Sequence, residues 1–335
     1  MQWARYFDER VETMPPTWTR RLEDDRLGEQ VARCYEQSTF YRRKLDGARV
    51  RPEQVRKAED LPRVPPTARA EVEEAAGADP PFGGLLCVEL LDVVRVQVVS
   101  DGPLAVGYTQ KDARRSAEVG ARVLWAAGAR PDDVVLNCAR LGLGADGVAA
   151  EAALEETGAA VIPAGAGDAA GTLDRWESLR PTALAAPTGF ALELAGAAGE
   201  RGMDAHKLGL AKLLVGTEPE HRVEPAQRLL TEVWGVRPGT YYGVPEISCA
   251  LAAECEELDG LHFLGHGSVL AELVEPRSGR SLPIEPGARG ELLLTHLERE
   301  ATPLLRFRTG DLVSIVDTEC ECGRTGFRFR VLGPI

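Results

Sequence analysis

A chain of 335 residues, 44% hydrophobic and 27% charged, carries enough apolar side chain for a full core, which excludes disordered, collagenous and disulfide-stapled classes. Its 39 basic residues stand against 52 acidic ones, a net charge of −13 that repels phosphate backbones and anionic lipid, so neither nucleic acid nor a membrane is an expected partner. The only lysines are Lys44, Lys57, Lys111, Lys207 and Lys212, and seven irregularly spaced cysteines behind the charged N-terminus MQWARYFDER point to a reducing cytoplasm.

Leu27 to Leu45 carries apolar residues at helical spacing and ends before Gly47, and the proline-rich stretch after it reads as a connector. From Val93 short β-branched runs alternate with amphipathic ones: VVRVQVV, Lys111 to Ala127, DVVLNCA, Val148 to Glu156, AAVIPA, TALAA, Phe190 to Glu200, AKLLVG, then Val223 to Trp234. That alternation predicts β-α-β units, hence an α/β fold with a doubly wound, largely parallel sheet and helices on both faces. Ala183 to Gly199 is the most apolar stretch, but Pro187, Glu193 and its glycines leave it short of the ~18 uncharged residues that a membrane span needs. After Pro238 runs such as SVLAELVEP, GELLLTH and DLVSIVD are separated by PRSG and EPGARG, which predicts antiparallel hairpins. The expected division is a helical segment and connector over 1–92, an α/β core over 93–240 and a β-rich subdomain over 241–335.

Cys255 and His262 form one pair of potential zinc ligands, and Cys320 and Cys322, in the turn ECECGRT, form another. Three thiolates and an imidazole make a closed tetrahedral shell, which suits a structural zinc and leaves no open position for a catalytic water. His266 is a spare ligand, whereas Cys34, Cys87, Cys138 and Cys249 lie in apolar runs and read as core.

FYRRKLD at Phe40, VGYT at Val106, AGARPDDVV at Ala127, GAAVIPAG at Gly158, GTEP at Gly216, YGVPE at Tyr242, PLLRFRTGDL at Pro303 and CECGRT at Cys320 resemble, in order, segments of the phenylacetate-CoA ligase branch of the adenylate-forming superfamily. The resemblance implies that superfamily's N-terminal domain fold and its chemistry, a carboxylate and ATP giving an acyl-adenylate and then a thioester. It implies an adenine site at Gly216, Thr217, Glu218 and Pro219, a purine-facing Tyr242 beside Gly243, a magnesium and phosphate role for Glu246, and a ribose-binding Asp311. Some members of the branch carry zinc on a similar Cys/His set.

Departures from the pattern shape the functional expectation. The interval matching the family's SSGTTGKPT loop reads VVSDGPLA, which keeps Gly102, lacks the lysine and places Asp101 where phosphates would lie, so AMP is expected to bind better than ATP. The chain stops at RVLGPI where the family continues through a hinge into a lysine-bearing domain, and Ala139, Leu141, Gly144, Ala150 and Ala152 replace aromatic residues of the substrate wall. Unaided adenylation is therefore expected to be weak. A C-terminal domain supplied as a separate chain would restore it; the alternatives are a non-catalytic binding or scaffold partner of a ligase or carrier protein, and an ATP-independent acyl transferase that uses the same cleft.

Overall fold

The computed structural model describes residues 3–99, 102–217 and 223–335. In chain order its helices are α1 (Glu9–Glu12), α2 (Pro16–Gln37), α3 (Thr39–Gly47), α4 (Arg69–Ala78), α5 (Gln110–Ala126), α6 (Ala145–Glu156), α7 (Ala169–Leu179), α8 (Thr188–Glu200) and α9 (Val223–Trp234). The strands are β1 (Arg95–Val98), β2 (Ala105–Tyr108), β3 (Val134–Asn137), β4 (Ala160–Pro163), β5 (Ala183–Ala185), β6 (Lys212–Gly216), β7 (Pro238–Val244), β8 (Ser248–Glu254), β9 (Leu261–Phe263), β10 (Val269–Val274), β11 (Ser281–Leu282), β12 (Arg289–His296), β13 (Phe307–Asp317) and β14 (Arg328–Pro334). Contacts gather these into two compact units, one of Met1–Asp8, Ala117–Val244 and Ser248–Leu264, the other of Glu9–Ser116, Pro245–Ile247 and Gly265–Ile335. Among the described residues no helix is long and apolar enough to cross a membrane.

In the first unit β4, β3, β5, β6 and β7 lie side by side in parallel, and β8 and β9 continue from β7 antiparallel. The two-residue period of a strand divides the side chains between two cores. Leu136, Leu184, Leu213 and Val215 pack on one face with Leu173, Trp176, Phe190, Leu194, Leu230 and Trp234 from α7, α8 and α9. Val135, Ala183, Ala185 and Leu214 pack on the other with Leu124 of α5 and Ala153 and Leu154 of α6. The expected helices on both faces are thus present, because each strand is apolar on both sides. Trp176 and Trp234 stack at 6.2 Å and donate their indole N–H groups to the Leu208 and Ala191 carbonyls, so neither ring carries an unmet donor into the core.

The second unit holds an antiparallel sheet in the order β11, β10, β12, β13, β14, as the hairpin signals after Pro238 imply. The run VVRVQVV departs from expectation. It supplies β1, which pairs antiparallel with β2 in a separate two-stranded ribbon instead of opening the parallel series. Few residues separate the two strands, and a parallel pair needs a crossover of a dozen or more.

Glu12 of α1 and Arg324 after β13 are both fully buried, with Nε to Oε2 at 2.8 Å, and the N–H of Thr325 donates to the Glu12 carbonyl at 2.8 Å. Removing one member of such a pair strands the other charge away from water. Arg324→Ala is expected to lower unfolding free energy by about 3–5 kcal/mol, and the pair-neutral Glu12→Gln/Arg324→Met double variant by much less, as read by urea denaturation.

Candidate functional site

In the first unit Gly216 ends β6 and Thr217 follows it, its N–H donating to the Tyr241 carbonyl at 2.7 Å. A Cβ on Gly216 would lie 3.3 Å from the Tyr241 ring, so the glycine lets that ring pack over the strand end. Tyr242, expected to offer a face to a purine, is 3% exposed, while Tyr241 on the opposite side of β7 is the half-buried ring. Gly243 sits at the register shift between β7 and β8, where a Cβ would fall 2.1 Å from the Cys249 carbonyl oxygen. Hairpin packing alone accounts for that glycine. Glu218, Pro219 and Asp101 lie outside the described residues. A cavity of about 700 Å³ in this unit is lined by Trp3, Arg5, Arg130 and Arg237, among others, and of the expected site residues it touches only Cys255.

The second unit carries Glu246 and Asp311. RTGD is built as a fixed corner of β13. The Arg308 guanidinium spans both oxygens of Glu291 at the β12 bulge, and Thr309 Oγ1 donates to the Leu292 carbonyl at 2.8 Å while accepting from the Asp311 N–H at 3.1 Å. Gly310 has φ 75°, a left-handed turn that favours glycine. Asp311 is half-buried at the end of this corner, opposite Pro334 of β14.

Glu246 is fully buried, and its carboxylate meets the guanidinium of Arg69, the first residue of α4. Burial holds its carboxyl above the usual range, with Arg69 opposing and Glu73, one turn further along α4, adding to the rise. Glu73 also reaches the remnant of the phosphate loop: its Oε1 would lie 3.2 Å from a Cβ on Gly102. Neither α4 residue was singled out by the sequence, since nothing local marks a helix start some 170 residues upstream as the neighbour of YGVPE.

Next to Glu246, the Ile247 carbonyl accepts from His296 Nε2 at 3.1 Å and from Arg299 Nη2 at 3.2 Å, and His296 Nδ1 accepts the Leu304 N–H at 3.0 Å. His296 is buried and fully bonded as the neutral ring. Arg299 and Arg95 lie over the Tyr108 ring at 4.0 and 4.3 Å, which gives the tyrosine of VGYT a packing role.

Cys255 and His262 lie in the first unit, after β8 and in β9, and Cys320 and Cys322 lie in the turn after β13 in the second unit. The Arg324 N–H points at Cys322 Sγ at 3.4 Å, the kind of donor that stabilises a ligating thiolate. His266 bonds the Val11 carbonyl at 2.7 Å. Cys34, Cys87 and Cys138 are core residues as expected, whereas Cys249 is half-buried with Sγ 3.3 Å from Asp146.

No family model matches the sequence. A phenylacetate-coenzyme A ligase of Thermus thermophilus is 37% identical over 330 residues, 97% of this chain and 71% of that protein. This chain belongs to the phenylacetate-CoA ligase family. The Escherichia coli phenylacetate-coenzyme A ligase is 31% identical over 91% of the chain and 69% of its own length, so the chain spans about 70% of these relatives. A crystal structure of 2-hydroxyisobutyryl-CoA ligase in complex with 2-HIB-AMP and CoA matches with a TM-score of 0.91 at 30% identity, covering 99% of this chain and 78% of that one. The adenylate-forming fold expected from the motifs is therefore the fold observed, and the chain is of the adenylate-forming carboxylate-CoA ligase type.

The His296 environment makes a pH dependence specific. Burial, then Arg299, push its imidazole from 6.5 down to about 3. Between those values the unfolded chain binds a proton that the folded chain does not, so stability is complete above pH 6.5 and falls on acidification towards 3. This one group should contribute a slope of up to about 1.4 kcal/mol per pH unit in that window, and His296→Asn should remove it from denaturation curves measured across pH.

Proposed function

We propose that the chain binds an acyl-adenylate, the intermediate of its family's ATP-dependent activation of a carboxylate for transfer to a thiol. The observation that carries this reading is the β13 corner, in which Arg308, Thr309 and Gly310 are fixed by Glu291 and Leu292 so that Asp311 is presented as a ribose acceptor. Gly216 and Thr217 at the end of β6 support an adenine edge, since ligands of α/β sheets lie beyond the carboxyl ends of strands. The phosphate side favours a monophosphate. The loop sequence offers no lysine, and Glu73 sets a carboxylate against Gly102, where further phosphates would repel it. That same observation supports a second reading, a non-catalytic adenylate-binding partner of a ligase or carrier protein. Calorimetric titration separates a monophosphate site from a triphosphate one: AMP is expected to bind more tightly than ATP with magnesium present, and tighter ATP binding would remove the basis for a monophosphate site.

The zinc reading is proposed alongside. Cys255, His262, Cys320 and Cys322 supply a closed set with a structural role, and the ligand chemistry supports zinc over harder cations. Purified protein should carry about one zinc equivalent by elemental analysis, and Cys320→Ala should lose it together with thermal stability, because a structural zinc contributes directly to folding free energy. Metal-free wild-type protein with undiminished stability would return the four residues to reduced side chains.

A further inference from the structure

Among the described residues, none that the adenylate reading uses lines the cavity of about 700 Å³ in the first unit. Arg130 precedes β3 and Pro238 opens β7, so the cavity sits at the amino ends of parallel strands, whereas Gly216 and Thr217 lie at the carboxyl end of β6. Its walls are fixed. Gly239 lets the start of β7 press on the chain just past α5, since a Cβ on it would fall 1.9 Å from the Ala127 carbonyl oxygen. Trp125 Nε1 donates to the Ala4 carbonyl at 3.1 Å, which pins the N-terminal segment that contributes Trp3 and Arg5. Arg130 lies over the Trp125 ring at 4.6 Å and donates from Nη1 to the Trp125 and Ala129 carbonyls. Arg237 donates to both oxygens of Glu254 at 3.3 Å from the single nitrogen Nη2, and Glu254 also accepts from Gln227 Nε2 at 2.7 Å. With its side chain 39% exposed, Arg237 therefore has Nε and Nη1 left for a ligand.

Among the described residues, the charged side chains lining the cavity are Arg5, Arg130, Arg237, Glu254 and Glu256. Three guanidinium groups against two carboxylates make a local reversal of sign in a chain whose net charge is −13. One negative charge balances that excess. A phosphate monoester carries about −1.5 to −2 at neutral pH and would overshoot it beside Glu254 and Glu256, whereas a carboxylate matches it and fits the guanidinium fork. Trp3, Ala126 and Leu258 supply apolar wall, and the volume falls in the range of about 300–1,000 Å³ that small-molecule sites occupy. We propose that this cavity binds a small monocarboxylate with a flat apolar body, its carboxylate on Arg237 and its body against Trp3, at a site separate from the adenylate. The proposal goes beyond the adenylate reading and does not depend on it.

The test is titration of the full chain with benzoate, followed by ligand-observed NMR, with benzamide as the uncharged and phenyl phosphate as the dianionic counterpart. Benzoate is expected to bind with a Kd on the order of 1 mM, and the other two about tenfold more weakly. Glu254→Gln should tighten benzoate by about threefold, because it removes a carboxylate that shares the guanidinium, an effect that loss of structure would not produce. An Arg237→Met/Glu254→Gln double variant, which removes the pair without stranding a buried charge, should melt near wild type, bind benzoate about tenfold more weakly and keep the wild-type response to AMP. No benzoate binding to wild type at about 10 mM, benzamide or phenyl phosphate binding as tightly as benzoate, or a double variant that binds benzoate like wild type would each overturn the proposal. If wild type bound benzoate but not AMP, the adenylate reading would fall while the second site stood.

Discussion

A carboxylate removed from water must find a positive charge or give up its own, and the fully buried Glu246 sets that requirement in the second unit. Its counter-charge comes from Arg69, so α4 has to start where a guanidinium can reach a fully buried oxygen. Thr67 enforces the start by bonding to Leu305 and Arg306 just before β13 and to Arg308 within it, and β13 in turn is held by the Arg308 to Glu291 pair across to β12. On the other side of Glu246 the Ile247 carbonyl is fixed by His296 and Arg299. Position therefore passes from one buried acid outward to the corner that presents Asp311.

The fold was legible in the sequence wherever period and position agreed. DVVLNCA, AAVIPA, TALAA and AKLLVG read as strands because they are apolar on both faces, and the two helical cores flanking them confirm why. VVRVQVV has the same local texture, but a short connection to VGYT makes it half of a hairpin; periodicity reports burial, and pairing depends on what the connection can reach.

Motif residues divide by the same logic. In RTGD the sequence marked only Asp311, and the left-handed glycine and the threonine tether that shape the corner came from the structure. Gly216 and Gly243 drew attention for a ligand, yet the Cys249 backbone already requires Gly243 to lack a side chain, while a Cβ on Gly216 would crowd the Tyr241 ring only slightly. Arg69 and Glu73 escaped notice because their meaning depends on residues far away in sequence, and no spacing rule encodes a contact of that kind. The Cys255/His262 and Cys320/Cys322 pairs stand out in the sequence because thiolates and imidazole are rare against a solvated background.

The Glu12 to Arg324 pair spans 312 positions of sequence, and this has a consequence for how the protein is made. A chain emerging from the ribosome presents α1 long before Arg324 exists, so Glu12 must stay hydrated until nearly all of the second unit has been synthesised. The helices that precede β1 cannot settle early around that acid, whereas residues 117–264, which contain most of the first unit, are complete while its counter-charge is still untranslated. Synthesis thus favours building the parallel sheet first and completing the second unit last, an order imposed by the long-range pairing of two charges.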